Sequence, residues 1–444
     1  MTATAFARRA QPLSLLLLCG LLPGCAGWAP YFGFDTPSRL VLEVDPARQA
    51  IQTHGFYLSR EDSVVGRLAQ VPVREGDTLL DIARHFGLGY QHIADANPDL
   101  DPWIPHAGAP VLLPLQFILP EAPRVGVVVN LAAMRLFYFS GSPQKPKLST
   151  WPIGIGREGR STPLGIMSVE RKTEHPTWYV PESIRRSHAQ QGDPLPAVVP
   201  PGPDNPLGDY ALYLSKPSYL IHGTNKPFSI GLRASNGCVR LYPEDIERAF
   251  KEIPAKTPVV VVNQPYLLGW LNGVLYLEAH APFEEIDVKQ AKANVLAKLR
   301  QIAKQRQTPL DWPKIEATLK QARGIPVPIF AHSASLAEQM AEAVQLERPD
   351  HLTGQPGNAN LPASGWLLRT AETDDEYWVR RLAAQLNHLG PRIPARMSTH
   401  NRRHRLLAGP FADETAARKA QATLSEDFRA TTELLKPTKH MGWK

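Results

Sequence analysis

The chain has 444 residues, 43% of them hydrophobic and 20% charged, with a formal net charge of +7. That length allows about three domains, at roughly 100–200 residues each. The positive excess is mild and spread out, with no basic stripe interleaved with aromatics, which argues against nucleic-acid binding. The 14 histidines and 3 cysteines show no HExxH or paired-cysteine spacing, so the sequence calls for no metal and no cofactor.

Residues 1–26 read as an export signal, with Arg8 and Arg9 ahead of an apolar run from Leu13 to Leu22. The run is too short to cross a bilayer, which takes roughly 20 apolar residues. It ends in Leu22-Pro23-Gly24-Cys25, which resembles a bacterial lipobox, although Pro23 is unusual at its position. The resemblance implies cleavage before Cys25 and lipidation of its sulfur; ordinary secretory cleavage nearby is the alternative. Either way Cys19 is discarded. With Cys25 acylated, Cys238 is the sole free thiol of an exported protein and has no disulfide partner.

Residues 69–115 come next. Glu75-Gly76-Asp77 is a turn, Asp77 or Thr78 can cap a helix, and Gly87 ends it. Ile82, Phe86 and Ile93 fall on apolar helix faces, Asn97-Pro98 breaks the second helix, and Pro110 to Pro114 is a closing strand. This strand–helix–helix–strand order and the GDTL…IA…F…ANP pattern resemble a LysM module. The resemblance implies a βααβ fold that binds N-acetylglucosamine-containing glycans. Pro72 replaces the family's usual aromatic.

Residues 124–264 carry the chemistry. Val125–Val129, Arg135–Phe139 and Val259–Val262 are rich in β-branched and aromatic residues and predict strands. Gly154-Ile155-Gly156 precedes no phosphate-cradling helix, which rejects a nucleotide site. Pro243 opens a helix that reaches Phe250, and the proline-rich stretch from Pro176 to Leu207 reads as a loop that walls the site. His222 in Ile221-His222-Gly223-Thr224 lies sixteen residues before Cys238 in Ser235-Asn236-Gly237-Cys238-Val239-Arg240-Leu241. A cysteine attacks a carbonyl as thiolate, and a nearby imidazole is the usual proton acceptor. The glycine before Cys238 permits close approach of backbone amides to a developing oxyanion. The pattern points to acyl transfer through a thioester.

The Thr162-Pro163-Leu164-Gly165 turn, Pro200 to Gly208, His222-Gly223-Thr224 and Ser235 to Leu241 together resemble the YkuD-type L,D-transpeptidases, most strongly their Gram-negative envelope branch. The resemblance makes Cys238 the nucleophile toward the diaminopimelate carbonyl at position three of a tetrapeptide stem, expelling D-alanine. It makes His222 the acid–base group, oriented by the Gly223 carbonyl. Ser235, Asn236, Gly237 and Arg240 become substrate-binding or oxyanion residues, with the Gly237 and Cys238 amides as donors. Arg240 either binds a stem carboxylate or braces its own loop through a salt bridge. Many relatives carry histidine where this chain has Asn236.

Residues 265–326 predict a strand hairpin and two helices, a companion to the catalytic domain without chemistry of its own; Ser335 to Leu346 predicts another helix, and 347–364 a linker. In residues 365–436, Trp366–Thr370 and His404–Phe411 predict strands. A helix capped by Thr373 runs to His388, and Asp413 starts another through Leu424. Gly409 to Leu424 resembles a SPOR domain, which implies a four-stranded sheet backed by two helices and binding to glycan stripped of stem peptides.

The expected fold is therefore multidomain α+β: a β-rich sandwich flanked by a small βααβ module and a C-terminal α/β domain. The expected function is an L,D-transpeptidase that forms 3-3 cross-links or attaches a lipoprotein to the wall. Two alternatives use the same chain: an L,D-carboxypeptidase with water as acceptor, and a non-catalytic wall-binding lipoprotein. The expected partners are peptidoglycan, a wall-attached lipoprotein as acceptor and the membrane through a lipid anchor. The expected place is the periplasmic face of a Gram-negative outer membrane.

Overall fold

The computed structural model describes residues 51–59, 61–190, 192, 194–356, 365–389 and 392–437. The signal segment and Cys25 lie outside the described residues.

The first module pairs strand Ala69–Pro72 antiparallel with Pro110–Leu113, under helices Leu79–His85 and Tyr90–Ala96. Thr78, one of the two expected caps, accepts the Asp81 amide hydrogen through Oγ1 at 3.1 Å. Asn97 does more than break the second helix. Its Nδ2 donates to the Ile93 and Leu112 carbonyls and its Oδ1 accepts from the Leu112 amide, each at 2.8 Å, in a buried setting. Asn97→Ala strips three buried backbone groups of their partner and is expected to cost about 2–3 kcal/mol. Urea unfolding of the full chain checks this; a loss well under 1 kcal/mol would show that the clamp is redundant.

This module is not a bead on a string. Its Val71, Leu79, Ile82 and Leu113 share one apolar core with Val128, Phe137, Phe139 and Leu148 of the catalytic sheet. Full burial of each such side chain stabilises by roughly 1.5–3 kcal/mol. Fully buried Arg135 reaches from the sheet to donate to the Gly87 carbonyl at 2.9 Å, with its guanidinium 3.9 Å from the Phe117 ring centre. Tyr242 Oη donates to the Leu88 carbonyl, and Arg84 grips Glu244 with two hydrogen bonds of 2.8 Å.

The catalytic domain is built on one nine-stranded mixed sheet. Gly126–Asn130 and Pro258–Val262 pair in parallel near its middle, Val259 opposite Val127. Both faces of these strands are covered, which explains their unbroken valine runs. Val127, Val129, Val259 and Val261 face one core together with Leu212, Ile221 and Val239 from the far half of the sheet. The sheet thus wraps around its own interior, and Val128 faces the core shared with the first module. Helix Pro243–Glu252 buries Ile246 and Ala249 in the wrapped core, with Pro243 in its first turn.

Beyond it, hairpin Tyr266–Leu271 and Val274–Ala279 packs under helices Val288–Arg306 and Trp312–Gln321, capped by Asp287 and Asp311. The helix expected from Ser335 to Leu346 spans only Leu336–Ala341. Val344–Gln345 instead adds a parallel strand beside Ala69–Gln70, so an open sheet edge outweighs local helix propensity. The stretch after it, expected as linker, is strapped down as far as it is described: Arg348 is buried and paired with Asp77 at 2.5 Å. Residues 357–364 lie outside the described residues.

The C-terminal domain has a four-stranded sheet in the order Ala395–His400, Arg403–Phe411, Trp366–Thr370, Thr432–Leu435. Helices Glu376–His388 and Glu414–Phe428 cover it over a core containing Leu368, Leu382, Leu406 and Leu424. Asp375, not Thr373, caps the first helix by accepting from the Trp378 amide at 2.8 Å. That helix lies on the first module through Arg381 to Asp101 at 3.4 Å and His388 to Asp81 at 3.0 Å. Among the described residues no helix is long and apolar enough to cross a membrane.

Candidate active site

His222 ends strand Leu220–His222, and Cys238 immediately precedes strand Val239–Arg240. The two strands pair in parallel, His222 opposite Arg240 and Ile221 opposite Val239. Side chains alternate across a sheet, so Cys238 and Arg240, two residues apart, share a face with His222. Ile221 and Val239 point the other way, into the core. Two strands about 4.8 Å apart, with about 6.6 Å between alternate residues, put the His222 and Cys238 Cα atoms roughly 8 Å from each other.

The imidazole is buried, and its Nδ1 lies 2.6 Å from the Gly223 carbonyl oxygen. A carbonyl only accepts, so Nδ1 carries the hydrogen and Nε2 keeps a free lone pair. Burial drives the His222 pKa down to about 3, helped by the positive charge of Arg240 and opposed by the Gly223 and Leu207 carbonyls. Leu207 ends the proline-rich stretch. Asn205 holds it there, accepting the Leu207 amide at 2.9 Å while donating to the Pro176 carbonyl at 2.8 Å. A Cβ on Gly208 would stand 2.9 Å from the Thr224 nitrogen, so this run can back the histidine loop only with glycine there.

Cys238 is half-buried. Its thiol donates toward the Ser218 carbonyl at 3.6 Å. Burial pushes the thiol pKa up, while the Leu220 amide and the Arg240 charge pull it down. Both shifts favour the neutral forms, thiol and imidazole, over the thiolate–imidazolium pair. The reason is physical: burial disfavours both charged forms, and the neighbouring guanidinium further opposes an imidazolium.

Ser235 closes the turn that carries the cysteine. Its Oγ donates to the Cys238 carbonyl at 2.6 Å and accepts from the Gly237 amide at 3.1 Å. The Gly237 hydrogen, expected to face substrate, is thus engaged inside the turn. Gly237 has φ +108°, and a Cβ there would lie 2.8 Å from Tyr219 Cε1. Asn236, half-buried, sits at the crest of the same turn. Arg240 Nη1 makes only long contacts of 3.5 Å, to Ser229 Oγ and the Ala234 carbonyl, and its buried Nε has no partner. Among the described residues no carboxylate forms a salt bridge with Arg240.

Several contributors carried no sequence signal, because they act through main-chain atoms: the Ser218 and Leu207 carbonyls and the Leu220 amide. The glycine-spaced loop also belongs here, since the Arg157 amide donates to the Ser235 carbonyl at 3.0 Å. Arg233 pins the cysteine loop from outside through Glu284 and Glu285, at 2.5 and 2.6 Å. Among the described residues no cluster of His, Cys, Asp or Glu is arranged to hold a metal ion.

Comparison with known proteins agrees with this architecture. Residues 124–261 match the L,D-transpeptidase catalytic domain (YkuD), residues 72–114 the LysM domain and residues 362–431 the SPOR domain. The chain is 38% identical over 282 residues to the Escherichia coli (strain K12) protein named Probable L,D-transpeptidase ErfK/SrfK, covering 62% of this chain and 89% of that one. It is 37% identical over 263 residues to Probable L,D-transpeptidase YcfS of the same strain, covering 58% of this chain and 80% of that one. Among solved structures, the catalytic domain of the Enterococcus faecium L,D-transpeptidase is 21% identical, with 32% of this chain and 100% of that one covered, at a TM-score of 0.25. The fold is that of a multidomain α+β wall enzyme, with a sheet-rich catalytic domain between two peptidoglycan-binding modules. The chain belongs to the L,D-transpeptidase family.

Proposed function

We propose that Cys238 and His222 carry out acyl transfer on peptidoglycan stem peptides. The observation behind this is the 2.6 Å contact of Nδ1 with the Gly223 carbonyl, on a strand that pairs with the one following Cys238; an Nδ1–H donated there leaves Nε2 as the basic nitrogen. The Cys238 Sγ attacks the carbonyl of the third stem residue while its proton passes to Nε2. Proton transfer accompanies attack because neither group is charged at rest. The Cys238 amide, held by the Ser235 turn, donates to the developing oxyanion. The C–N bond then breaks, and the terminal D-alanine leaves with the proton from His222. An acceptor amine attacks the thioester, and Sγ departs and regains a proton. Arg240, which has no carboxylate partner among the described residues, pairs with a stem carboxylate. Asn236 contributes hydrogen bonding but no proton transfer.

The acceptor is a second stem peptide, giving a 3-3 cross-link, or the lysine of an envelope lipoprotein. The export signal and the two wall-binding modules support a periplasmic chain anchored through Cys25. Incubation with disaccharide-tetrapeptide, followed by mass spectrometry, tests this: loss of D-alanine with dimer formation supports transpeptidation. Tripeptide alone points to water as acceptor. No turnover would leave only a wall binder.

The pH dependence follows from the site. His222 must be neutral to accept the proton, and its pKa of about 3 lies far below the ordinary 6.5. Acylation of Cys238 by a carbapenem is therefore expected to stay flat between about pH 5 and about pH 8. Activity drops only on acidification toward the lowered histidine pKa. An acid limb centred near pH 6.5 would show an imidazole titrating in its usual range and would overturn the neutral-pair description.

A further inference from the structure

The companion domain that follows the catalytic sheet reaches back to the cysteine turn. Glu284 and Glu285 lie between strand Val274–Ala279 and helix Val288–Arg306, outside residues 124–261 that match the catalytic domain. Glu285 Oε1 accepts from donors on two different loops. One is Arg233 Nη2 at 2.6 Å, and the other is Ser161 Oγ, also at 2.6 Å. Glu284 meets Arg233, whose Nη1 donates to its Oε1 at 2.5 Å. The Arg233 guanidinium is little exposed and sits 4.6 Å from the centre of the Phe283 ring.

Those two loops bracket the reactive sulfur. Arg233 begins strand Arg233–Ser235, and Asn236, Gly237 and Cys238 alone separate that strand from Val239–Arg240. Ser161 lies in the stretch after Gly156, whose strand pairs in parallel with Arg233–Ser235. The Arg160 and Ser161 carbonyl oxygens come within 3.4 and 3.6 Å of where a Gly237 Cβ would stand. Loop 157–162 is thus the flank against which the turn rests. The other side of the turn is fixed by main-chain atoms. Arg240 exchanges hydrogen bonds with Gly154 at 2.8 and 2.9 Å, and its strand pairs with that of His222. On the near side a single carboxylate oxygen ties the flank to the strand. The Ser161 hydrogen bond, with the Arg233 charge adding to it, holds the Glu285 carboxyl below the usual carboxylate range. The bridge therefore stays charged near neutral pH.

We propose that Glu285 is a positioning residue for Cys238, holding loop 157–162 and the strand that enters the cysteine turn at a fixed separation. The proposal rests on the reading of Cys238 as nucleophile given above. Glu285 touches no reacting atom; it acts through the turn, keeping the Cys238 amide and sulfur aimed at one carbonyl. Surface ion pairs add little to stability, so such a bridge matters for where it holds its loops. A misplacement of about 1 Å can cost on the order of 10² in rate.

The test compares the full chain with Glu285→Ala and Glu284→Ala. Carbapenem acylation of Cys238, followed by intact mass, is expected to slow about tenfold or more in Glu285→Ala. Glu284→Ala leaves the tie to Ser161 in place and is expected to lose no more than about threefold. Alkylation of Cys238 by iodoacetamide, which needs no oxyanion donor, should stay within about twofold of wild type in both. Hydrogen exchange in peptides containing Arg157 and Gly237 should quicken about fivefold or more in Glu285→Ala alone. Equal losses in the two variants, or unchanged acylation and exchange in Glu285→Ala, would overturn the proposal. So would a rise in alkylation matching the fall in acylation, which marks a turn come undone and not one misaimed. A wild-type chain that takes no carbapenem would sink the nucleophile reading, and the exchange comparison would still decide whether Glu285 holds the turn.

Discussion

Cys238→Ala is expected to abolish the carbapenem adduct in intact mass spectra and to lower stem-peptide turnover by about 10⁴-fold or more, the scale seen when a nucleophile is deleted. Nothing nearby can replace the sulfur. The Ser235 hydroxyl, the closest alternative in the turn, is held between the Gly237 amide and the Cys238 carbonyl. Cys238→Ser should be almost as silent. A hydroxyl is a far weaker acid than a thiol and gives up its proton to the same imidazole far less readily. Appreciable turnover in the alanine variant would show that another group carries the acyl chain, and the proposed mechanism would fail.

Gly237→Ala is the second large effect, and it acts through geometry alone. At φ +108° an L side chain is strained, and the added Cβ would press on Tyr219 Cε1 at 2.8 Å, with the Arg160 carbonyl oxygen 3.4 Å away. Relief requires the turn to rotate, which misaims the Cys238 amide and sulfur together. The expected loss is about 10²–10³ in acylation rate, comparable to removing one oxyanion donor, with stability lowered by about 1–3 kcal/mol. Carbapenem acylation kinetics alongside thermal melts separate the two. A folded variant acylating at the wild-type rate would show that the turn tolerates the change and does not set the nucleophile's position.

Much of this was legible in the chain. The valine runs at Val127–Val129 and Val259–Val262 announce strands because covered parallel pairs need no polar face. Thr78 and Asp413 mark helix starts by ordinary capping chemistry. His222 and Cys238 stand out because few residue types perform their chemistry. What stayed hidden depends on tertiary context. The helix expected to run on to Leu346 stops after Ala341, since a distant strand edge offers Val344 a better partner. The neutral resting state could not be read from spacing, because it arises from burial and from the Arg240 charge. The Leu207 and Ser218 carbonyls are invisible to any residue-type argument, since every residue has one. The union of the first module with the catalytic sheet was equally hidden; both are apolar, and nothing in either segment says that they share an interior.

That common interior fixes how the enzyme meets its polymer. With Phe137 and Phe139 locked among LysM side chains and Arg135 tethered to Gly87, no swivel separates the LysM module from the candidate site. On the proposed function, a wall strand held by that module presents its stems at one set height and angle, as against a template. Reach along the sacculus then comes from the whole molecule moving from one grip to the next.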